Sequence, residues 1–428
     1  MKITNYKFQI SNSIHNISLR MIPFLILNFI LLLIPFLLFA IDIEPQGFVD
    51  TYHAVCLNNS HDFLSSRTRL RMELWITGEE AFVFTSMNAI NNNVIKSNSC
   101  IELRETFIDY TADKWDIRVG RQLIIWGKAD GLEITDIISP KDYTEFLARN
   151  FDDIRLSIDA LKFHLLFEQT NLELIWLPVF KPAILPLLGT PWAFKSVFPE
   201  SVKVVFEEPI EPDLTLKNSE IGGKLSFYLS GIDFAFSSFF TWEDVPTLHR
   251  TVAIGSDSIH YYPEHHRITF VGAEFSKPIG DFVLREESAF YKDNYFEPEN
   301  ILSEKLFKKN SLNWMLGVDW TPGNDWMLTA QFADDFILDY DDKIKDDEHT
   351  MLATLHISKK FIRQTLELST MAYFGINDRD FFIRSSMDYA LTDGLHLIFG
   401  IDLFVGDEGM FGQYDDHDEV WIKAKYSF

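Results

Sequence analysis

The sequence predicts an all-β protein, a transmembrane antiparallel up-and-down β-barrel of about 18 strands, with 16 as the alternative count. Three observations predict it. Apolar and polar residues alternate with a period of two over many segments of about ten residues. Short turns and long connections also alternate along the chain, and no apolar run after residue 40 is long enough for a transmembrane helix. Strands that span a membrane must close into a barrel, because lipid offers a free backbone group no hydrogen-bond partner.

The C-terminal segment is the clearest strand. One face carries Val420, Ile422, Ala424, Tyr426 and Phe428, and the other carries Trp421, Lys423, Lys425 and Ser427. A strand with one apolar and one charged face, ending on an aromatic residue, is typical of the closing strand of a barrel with lipid outside and water inside. We expect the barrel-assembly machinery to act on this strand, which ends at Phe428. An amphipathic edge strand of a soluble sheet is the alternative.

The N-terminal segment predicts export. Residues 1–40 contain Lys2, Lys7 and Arg20 and no acid, and they end in an apolar run that reaches Ala40. This order is typical of a signal peptide. We therefore divide the chain into a signal peptide over 1–40, cleaved near Ala40, and an outer-membrane barrel over 41–428 of a Gram-negative bacterium. An uncleaved anchor is the alternative, because the run is about as long as a membrane span.

The composition argues against a nucleic-acid partner. The formal net charge is −25 at pH 7, and polyanions repel such a chain. The 39 phenylalanines far exceed ordinary usage, while the chain lacks long apolar runs after the leader. Outer-membrane lipid and lipopolysaccharide are the expected surroundings, and a homo-oligomer stays open.

The strands follow from alternation and from turn residues between them. Their predicted ranges are 47–57, 66–77, 81–90, 100–111, 115–126, 158–168, 171–180, 218–229, 232–242, 266–277, 281–292, 311–321, 326–338, 350–360, 363–374, 380–390, 395–405 and 418–428. Tight turns such as Ser230-Gly231 alternate with long polar gaps at 127–157, 181–217, 243–265, 293–310, 339–349 and 406–417. Short turns at one rim and long loops at the other are typical of outer-membrane barrels.

The strand over 66–77 predicts which side chains face the lumen. Leu70, Met72 and Leu74 share the outer face, and the arginines alternate with them. The predicted pore-lining residues are Arg67, Arg69, Arg71 and Glu73 of this strand and Arg118, Arg121 and Gln122 of strand 115–126. Strand 100–111 fits less well, since neither of its faces is cleanly apolar. A β-bulge that resets the alternation or an element that covers this wall would explain it.

The gap over 127–157 predicts an inward-folded third extracellular loop. It is too apolar for a solvated loop, and it carries many charges that oppose the lumenal arginines. The predicted constriction residues are Asp130, Glu133, Asp136, Asp142, Arg149, Asp152, Asp153 and Arg155. Opposed charges across a narrow passage would set a transverse field and a size limit. An extracellular loop folded on itself is the alternative.

Several motifs resemble those of a known family. They are Leu103-Arg-Glu-Thr-Phe-Ile-Asp-Tyr110, Val119-Gly-Arg-Gln122, Ile125-Trp-Gly-Lys-Ala-Asp-Gly-Leu132, Asp136-Ile-Ile-Ser-Pro-Lys-Asp142, and, near the C-terminus, Gly400–Gly406 and Phe411–Asp418. The chain resembles a poorly characterised family of Gram-negative outer-membrane β-barrel proteins that is similar to porins and alginate-export barrels. The resemblance implies a barrel and solute passage, and it implies no particular substrate.

No enzyme, cofactor or metal is predicted. The sequence lacks a nucleophile elbow, a zinc-protease helix motif and a phosphate-binding glycine loop. His260, His265 and His266 lie near Glu264, but a solvated loop is the favoured interpretation. Cys56 and Cys100 are the two cysteines. Export permits a disulfide between them, and bonded and free states stay equally open.

The predicted function is a porin-like channel for passive diffusion of small hydrophilic solutes. A specialised barrel for export or uptake of a polymer or carboxylate is one alternative. A plugged structural or adhesive barrel with partner-binding loops is the other. Single-channel conductance discriminates a pore from a plugged barrel.

Overall fold

The computed structural model describes residues 42–58, 61–145, 149, 151–186, 189–193, 203–252 and 258–428. The predicted signal peptide over 1–40 lies outside the described residues. Within them the chain forms strands β1 to β21, labelled in chain order, and two single-turn helices, α1 (Phe151–Ile154) and α2 (Gly409–Gly412). No helix in these ranges has the length and apolar character to span a membrane.

Eighteen strands form one sheet. They are β1 Asp42–Cys56, β2 Phe63–Thr77, β3 Ala81–Asn92, β4 Cys100–Thr111, β5 Trp115–Gln122, β6 Ile158–Leu166, β7 Thr170–Leu177, β9 Glu220–Leu229, β10 Ile232–Trp242, β13 Arg267–Ile279, β14 Phe282–Phe296, β15 Phe307–Gly323, β16 Trp326–Ile337, β17 His349–Phe361, β18 Leu366–Gly375, β19 Asp380–Ala390, β20 Leu395–Val405 and β21 Glu419–Ser427. A second sheet, here called the outer sheet, contains β8 Lys203–Phe206, β11 Thr247–Val252 and β12 Ser258–Glu264.

The large sheet is closed. β1 pairs antiparallel with β2 on one side and with β21 on the other. The Gly47 and Phe428 backbones exchange two hydrogen bonds of 3.0 Å at this seam. The strands otherwise pair in chain order, except that β7 meets β9 and β10 meets β13, because the intervening strands belong to the outer sheet. The predicted barrel of 18 strands is confirmed.

The two faces of the wall differ as the alternation predicts. On β2, Leu70, Met72 and Leu74 are exposed on the outside, while Arg69 is buried inside. On β21 the apolar face is exposed, and the Nζ of Lys423 on the opposite face lies 3.4 Å from Asp50. Apolar side chains therefore cover the outside and charged groups occupy the inside, the arrangement that a lipid surrounding requires.

The connections divide between two rims. One rim has the short connections 78–80, 112–114, 167–169, 230–231, 280–281, 324–325, 362–365 and 391–394. The other has 57–62, 93–99, 123–157, 178–219, 243–266, 297–306, 338–348, 376–379 and 406–418. Aromatic pairs lie at the short-turn rim, among them Tyr110 with Trp115 and Phe282 with Trp320, at centroid distances of 5.4 Å and 5.7 Å. Trp75, near the same end of β2, packs against Phe84 on the inner face.

A β-bulge accounts for the irregular fourth strand. In the pairing of β3 with β4, Ser86 lies opposite Glu105 and the next residue, Met87, lies opposite Leu103. Arg104 is therefore the extra residue. The bulge lets outward-facing Leu103 be followed by two charged residues in succession on the inner side. Of the two explanations that the sequence left open, the structure has the bulge.

Cys56 is a buried free thiol and Cys100 an exposed one. Cys56 Sγ donates to the Asp416 carbonyl oxygen at 3.2 Å. We expect a maleimide reagent to label the folded barrel once, at Cys100, without prior reduction, and to label it twice after denaturation. Intact mass measures both stages, and a Cys100→Ser variant is the control for the site. A chain that needs reductant before it reacts would contain the disulfide.

Candidate functional site

The connection between β5 and β6, residues 123–157 and here called the third loop, turns into the barrel. Its side chains Trp126, Ile134 and Ile138 are buried in one apolar cluster with Phe239 of β10 and Phe270 of β13. The Trp126 and Phe239 rings meet edge to face with centroids 6.2 Å apart. The predicted inward fold of this loop is confirmed.

The advancing part of the third loop is fixed to β14. Thr135 Oγ1 donates to Glu287 Oε2 at 2.8 Å, and the Tyr291 hydroxyl donates to the Ile134 carbonyl oxygen at 3.2 Å. Arg285 Nη2 lies 2.6 Å from a carboxylate oxygen of Asp130. The wall thus supplies hydrogen-bond partners to the loop backbone, whose N–H and C=O groups are not paired in a sheet.

The returning part of the third loop is fixed to β2. Helix α1 presents Asp153 to Arg69 at 3.0 Å and to Arg71 at 3.6 Å. Arg69 also binds Asp50 of the neighbouring strand at 2.8 Å, and Arg67 lies 3.2 Å from Glu145 of the loop. The three arginines of β2, here called the arginine ladder, are all buried. They contact the acids directly and do not face them across an open gap.

The third loop crosses the barrel along a diameter. In the ring of 18 strands, β2 and β14 are nine places apart, which makes them opposite walls. Asp153 reaches one wall and Asp130 reaches the other. A segment held at both ends in this way spans the interior.

The charge of Asp153 persists over a wide pH range. Burial by itself raises the pKa of this carboxyl group, but the guanidinium groups of Arg69 and Arg71 outweigh burial and hold the pKa well below its usual range. The carboxylate form is therefore the one that the folded loop contains at neutral and mildly acidic pH. Its contribution to stability is lost only as the pH falls towards this lowered pKa.

Most other predicted loop charges pair within the loop. Arg155 lies 2.8 Å from Asp136, and the Lys141 Nζ lies 2.9 Å from Glu133. Asp142 and Arg149 form a further ion pair of 2.6 Å. These pairs fold the loop and do not connect it to the wall. The side chain of Asp152 lies outside the described atoms.

The remaining predicted wall residues divide into two groups. Arg118 is on the inner face, where it binds Asp109 at 2.7 Å, and Glu73 accepts a hydrogen bond from Ser86 at 3.3 Å. Gln122 is fully buried and donates to the Ala160 carbonyl oxygen at 3.0 Å, so its assignment to the pore lining is wrong.

The assignment of Arg121 to the pore lining is also wrong. Arg121 pairs in register with Thr106 and Asp159, and this row continues through Thr85 to Leu74 on the exposed outer face. The Arg121 Nε lies 2.9 Å from Asp159 on the outer face near the long-loop rim.

Gly120, which precedes Arg121, has a φ of +132°. A Cβ at this position would lie 2.4 Å from the Thr106 carbonyl oxygen, which explains a glycine before the arginine.

Two wall acids and one loop acid make contacts with the arginine ladder or the third loop that the predicted site omitted. Glu145 accepts hydrogen bonds from Ser65, Arg67 and Asn92. Asp50 accepts a hydrogen bond from Arg69, and Glu287 accepts one from Thr135. For Glu287 the sequence contained a signal, because alternation on its strand places it on the same face as Val283 and Arg285.

A cavity of about 470 Å³ lies beside the third loop. Its lining includes Glu133, Asp136, Lys141, Glu243, Asp244, Glu297, Lys345 and Asp346. Burial raises the pKa of Glu243 to about 7, although the Thr247 hydroxyl and the backbone amide of His266 donate hydrogen bonds to its carboxylate. Burial also raises the pKa of Asp244 well above its usual value. The cavity is acidic, and its charge changes near neutral pH.

One group of side chains has the chemistry of metal ligands. Nε2 of His249 lies 2.8 Å from Nε2 of His266 and 3.6 Å from a carboxylate oxygen of Glu264. The other two histidines of the predicted cluster have different partners. His260 contacts Glu207 at 3.0 Å, and His265 contacts the Glu243 carbonyl oxygen at 2.7 Å.

A closed barrel with an apolar exterior and an inward-folded third loop defines a porin-type barrel. The chain belongs to the family described as "Protein of unknown function (DUF1302)", whose model matches residues 96–391. A search of curated protein sequences found no match.

The fold is similar to that of several solved structures. Acinetobacter baumannii OccAB1 is 9% identical with a TM-score of 0.54, over 90% of this chain and 96% of that chain. Pseudomonas aeruginosa OccK2 (OpdF) is also 9% identical with a TM-score of 0.54, over 90% and 98%. Pseudomonas aeruginosa OccK11 (OpdR) is 10% identical with a TM-score of 0.52, over 90% and 96%. The expected likeness to porins is confirmed at the level of the fold.

Arg69 and Arg121 give a matched pair of substitutions. We expect Arg69→Ala to lower the free energy of unfolding by about 3–5 kcal/mol, because it leaves the carboxylates of Asp50 and Asp153 without their main buried partner. Arg121→Ala removes an exposed pair and should cost less than about 1 kcal/mol. Urea unfolding of the folded barrel, followed by tryptophan fluorescence, measures both. Equal losses would contradict the role of the arginine ladder in holding the third loop.

Proposed function

We propose that the protein is an outer-membrane channel through which small hydrophilic solutes diffuse passively, and that residues 1–40 direct its export. The observation that carries this proposal is the third loop, fixed to β2 and β14 across the interior of a closed barrel. Such a segment sets a size limit without closing a wide barrel, and its charges act on solutes at short range. An apolar exterior supports the location.

The cavity supports a preference for cations. Six acids line it, Glu133, Asp136, Glu243, Asp244, Glu297 and Asp346, against two lysines, Lys141 and Lys345. The arginine ladder, by contrast, is engaged by carboxylates of the wall and the loop. Lys141 compensates Glu133, Arg155 compensates Asp136, and burial keeps Asp244 neutral. The preference for cations therefore depends on the remaining acids of the lining, Glu243, Glu297 and Asp346, against Lys345.

A plugged barrel is the second candidate. It is favoured by the apolar contacts of the third loop, since Trp126, Ile134 and Ile138 are packed against the wall as in a protein core. A loop held by packing as well as by ion pairs supports a filled lumen equally well. Its surface loops would then carry the function.

Conductance decides between the two candidates. The chain is purified from the outer-membrane fraction, and its folding is verified by circular dichroism and by heat-dependent migration on gels. In planar bilayers with asymmetric potassium chloride, the channel proposal expects steady open currents with a reversal potential on the cation-selective side. Silence from a folded barrel contradicts the channel and supports the plugged form. Absence of the chain from the outer-membrane fraction contradicts the proposed location.

The selectivity should depend on pH through Glu243. Because its pKa is raised to about 7, the carboxyl group is neutral below this pH and charged above it. We therefore expect the preference for cations to increase between pH 6 and pH 8. One charge at about 7 Å in water is worth about 0.6 kcal/mol, or about threefold in local cation concentration at low salt.

Reversal potentials across this pH range measure the effect. Glu243→Gln should flatten the profile, while Glu207→Gln, which changes an acid that contacts His260 and does not line the cavity, should keep the rise. A wild-type profile without a rise, or a rise that survives Glu243→Gln, would show that Glu243 does not determine the selectivity of the channel.

A further inference from the structure

The outer sheet brings His249 and Glu264 to one face. β11 and β12 pair antiparallel, with Thr247 opposite Glu264 and His249 opposite Tyr262. His249 and Glu264 are therefore diagonal neighbours on the same face, within reach of each other. The register of the sheet, and not their distance in sequence, explains why they meet.

His266 joins this pair from the barrel rim. It lies between the end of β12 and the start of β13, two residues beyond Glu264, and its ring stacks on Tyr295 with centroids 4.0 Å apart. The Glu243 backbone amide donates to the His266 carbonyl oxygen at 2.9 Å. The ring and the backbone of His266 are thus both held in place.

The three ligand atoms fit one small cation. All of them lie within 4.8 Å of one another, and the two imidazole nitrogens are 2.8 Å apart. Tetrahedral coordination with zinc–nitrogen bonds of about 2.0–2.1 Å places two nitrogens about 3.3 Å apart. The rings therefore need to separate by about 0.5 Å to admit the ion. All three side chains are partly exposed, which leaves a fourth position open to water.

We propose that His249, Glu264 and His266 bind a divalent cation of the zinc class, which fastens the outer sheet to the barrel rim. Two imidazoles and one carboxylate form a ligand set that zinc accepts. His249 belongs to the outer sheet, and His266 leads into β13 of the barrel sheet. The bound ion therefore links the outer sheet to the start of a barrel strand. The site is independent of whether the barrel conducts.

A direct hydrogen bond between the two imidazoles is the competing explanation. One ring then donates and the other accepts, and the pair needs no ion. The two explanations differ in stoichiometry and in the part played by Glu264, which the imidazole pair does not require.

Zinc binding to the folded, full-length mature barrel in detergent tests the site. Equilibrium dialysis against zinc chloride gives the stoichiometry, and cobalt in place of zinc gives an absorption spectrum that reports tetrahedral coordination. His249→Ala, His266→Ala and Glu264→Gln are the test variants. His260→Ala is the matched control, because His260 belongs to the same sheet and contacts Glu207 instead. Circular dichroism and heat-dependent migration verify that each variant is folded.

We expect one zinc ion per chain in the wild type and the control, and affinities at least about tenfold weaker in the three test variants. Zinc should also slow hydrogen exchange in β11 and β12 of the wild type and not of His249→Ala. Binding that is unchanged in His249→Ala, or no stoichiometric binding to the wild type, overturns the proposal and leaves the imidazole hydrogen bond as the explanation.

Discussion

Closure of the sheet is the constraint on which the rest of the structure depends. A backbone amide or carbonyl group that faces hydrocarbon has no water to bind, so every strand in the wall needs a partner on both sides. β1 meets this need by pairing with β2 and with β21, and the backbones of Gly47 and Phe428 complete the seam. Only a closed wall has an inside in which charged side chains are separated from lipid.

In the interior, the third loop and the wall supply each other with ion-pair and hydrogen-bond partners. Buried guanidinium groups on β2 need carboxylates, and the third loop supplies Asp153 and Glu145. The loop backbone needs hydrogen-bond partners, and Gln331 of β16 both donates to and accepts from the backbone of Asp130. Without the loop, the buried guanidinium groups of the wall would lose their carboxylate partners, and without the wall the loop backbone would lose its hydrogen bonds. Either loss would cost free energy of folding. An irregular segment can therefore lie inside a barrel without unpaired backbone.

The sequence predicts the wall well because the physics of the wall is local. Alternation assigns a face to each residue, and turn residues mark the ends, so β10, β19 and β20 begin and end as predicted. The fifth strand ends at Gln122, four residues before its predicted end, because Ile124 and Trp126 leave the sheet for the apolar cluster of the third loop. The outer sheet was not predicted, since its strands are short and lie within long polar gaps.

The candidate site is less predictable because it depends on distant partners. Which acid of the third loop meets which arginine follows from the path of the loop across the barrel, and sequence pattern contains no such path. Arg121 is a different case, because alternation from Arg118 already places it on the outer face, and the register row from Leu74 to Asp159 agrees. His249 was omitted because the pairing of β11 with β12, which brings it to Glu264 and His266, cannot be read from the sequence.

The third loop also has a mechanical consequence. The wall of the barrel is a single layer of strands, so opposite walls are otherwise joined only around the circumference. Here a strut joins β2 to β14 from within, and its ends are ion pairs of 3.0 Å and 2.6 Å. The strut resists compression along that one diameter, and the same ion pairs that hold the loop also fix the separation of β2 and β14.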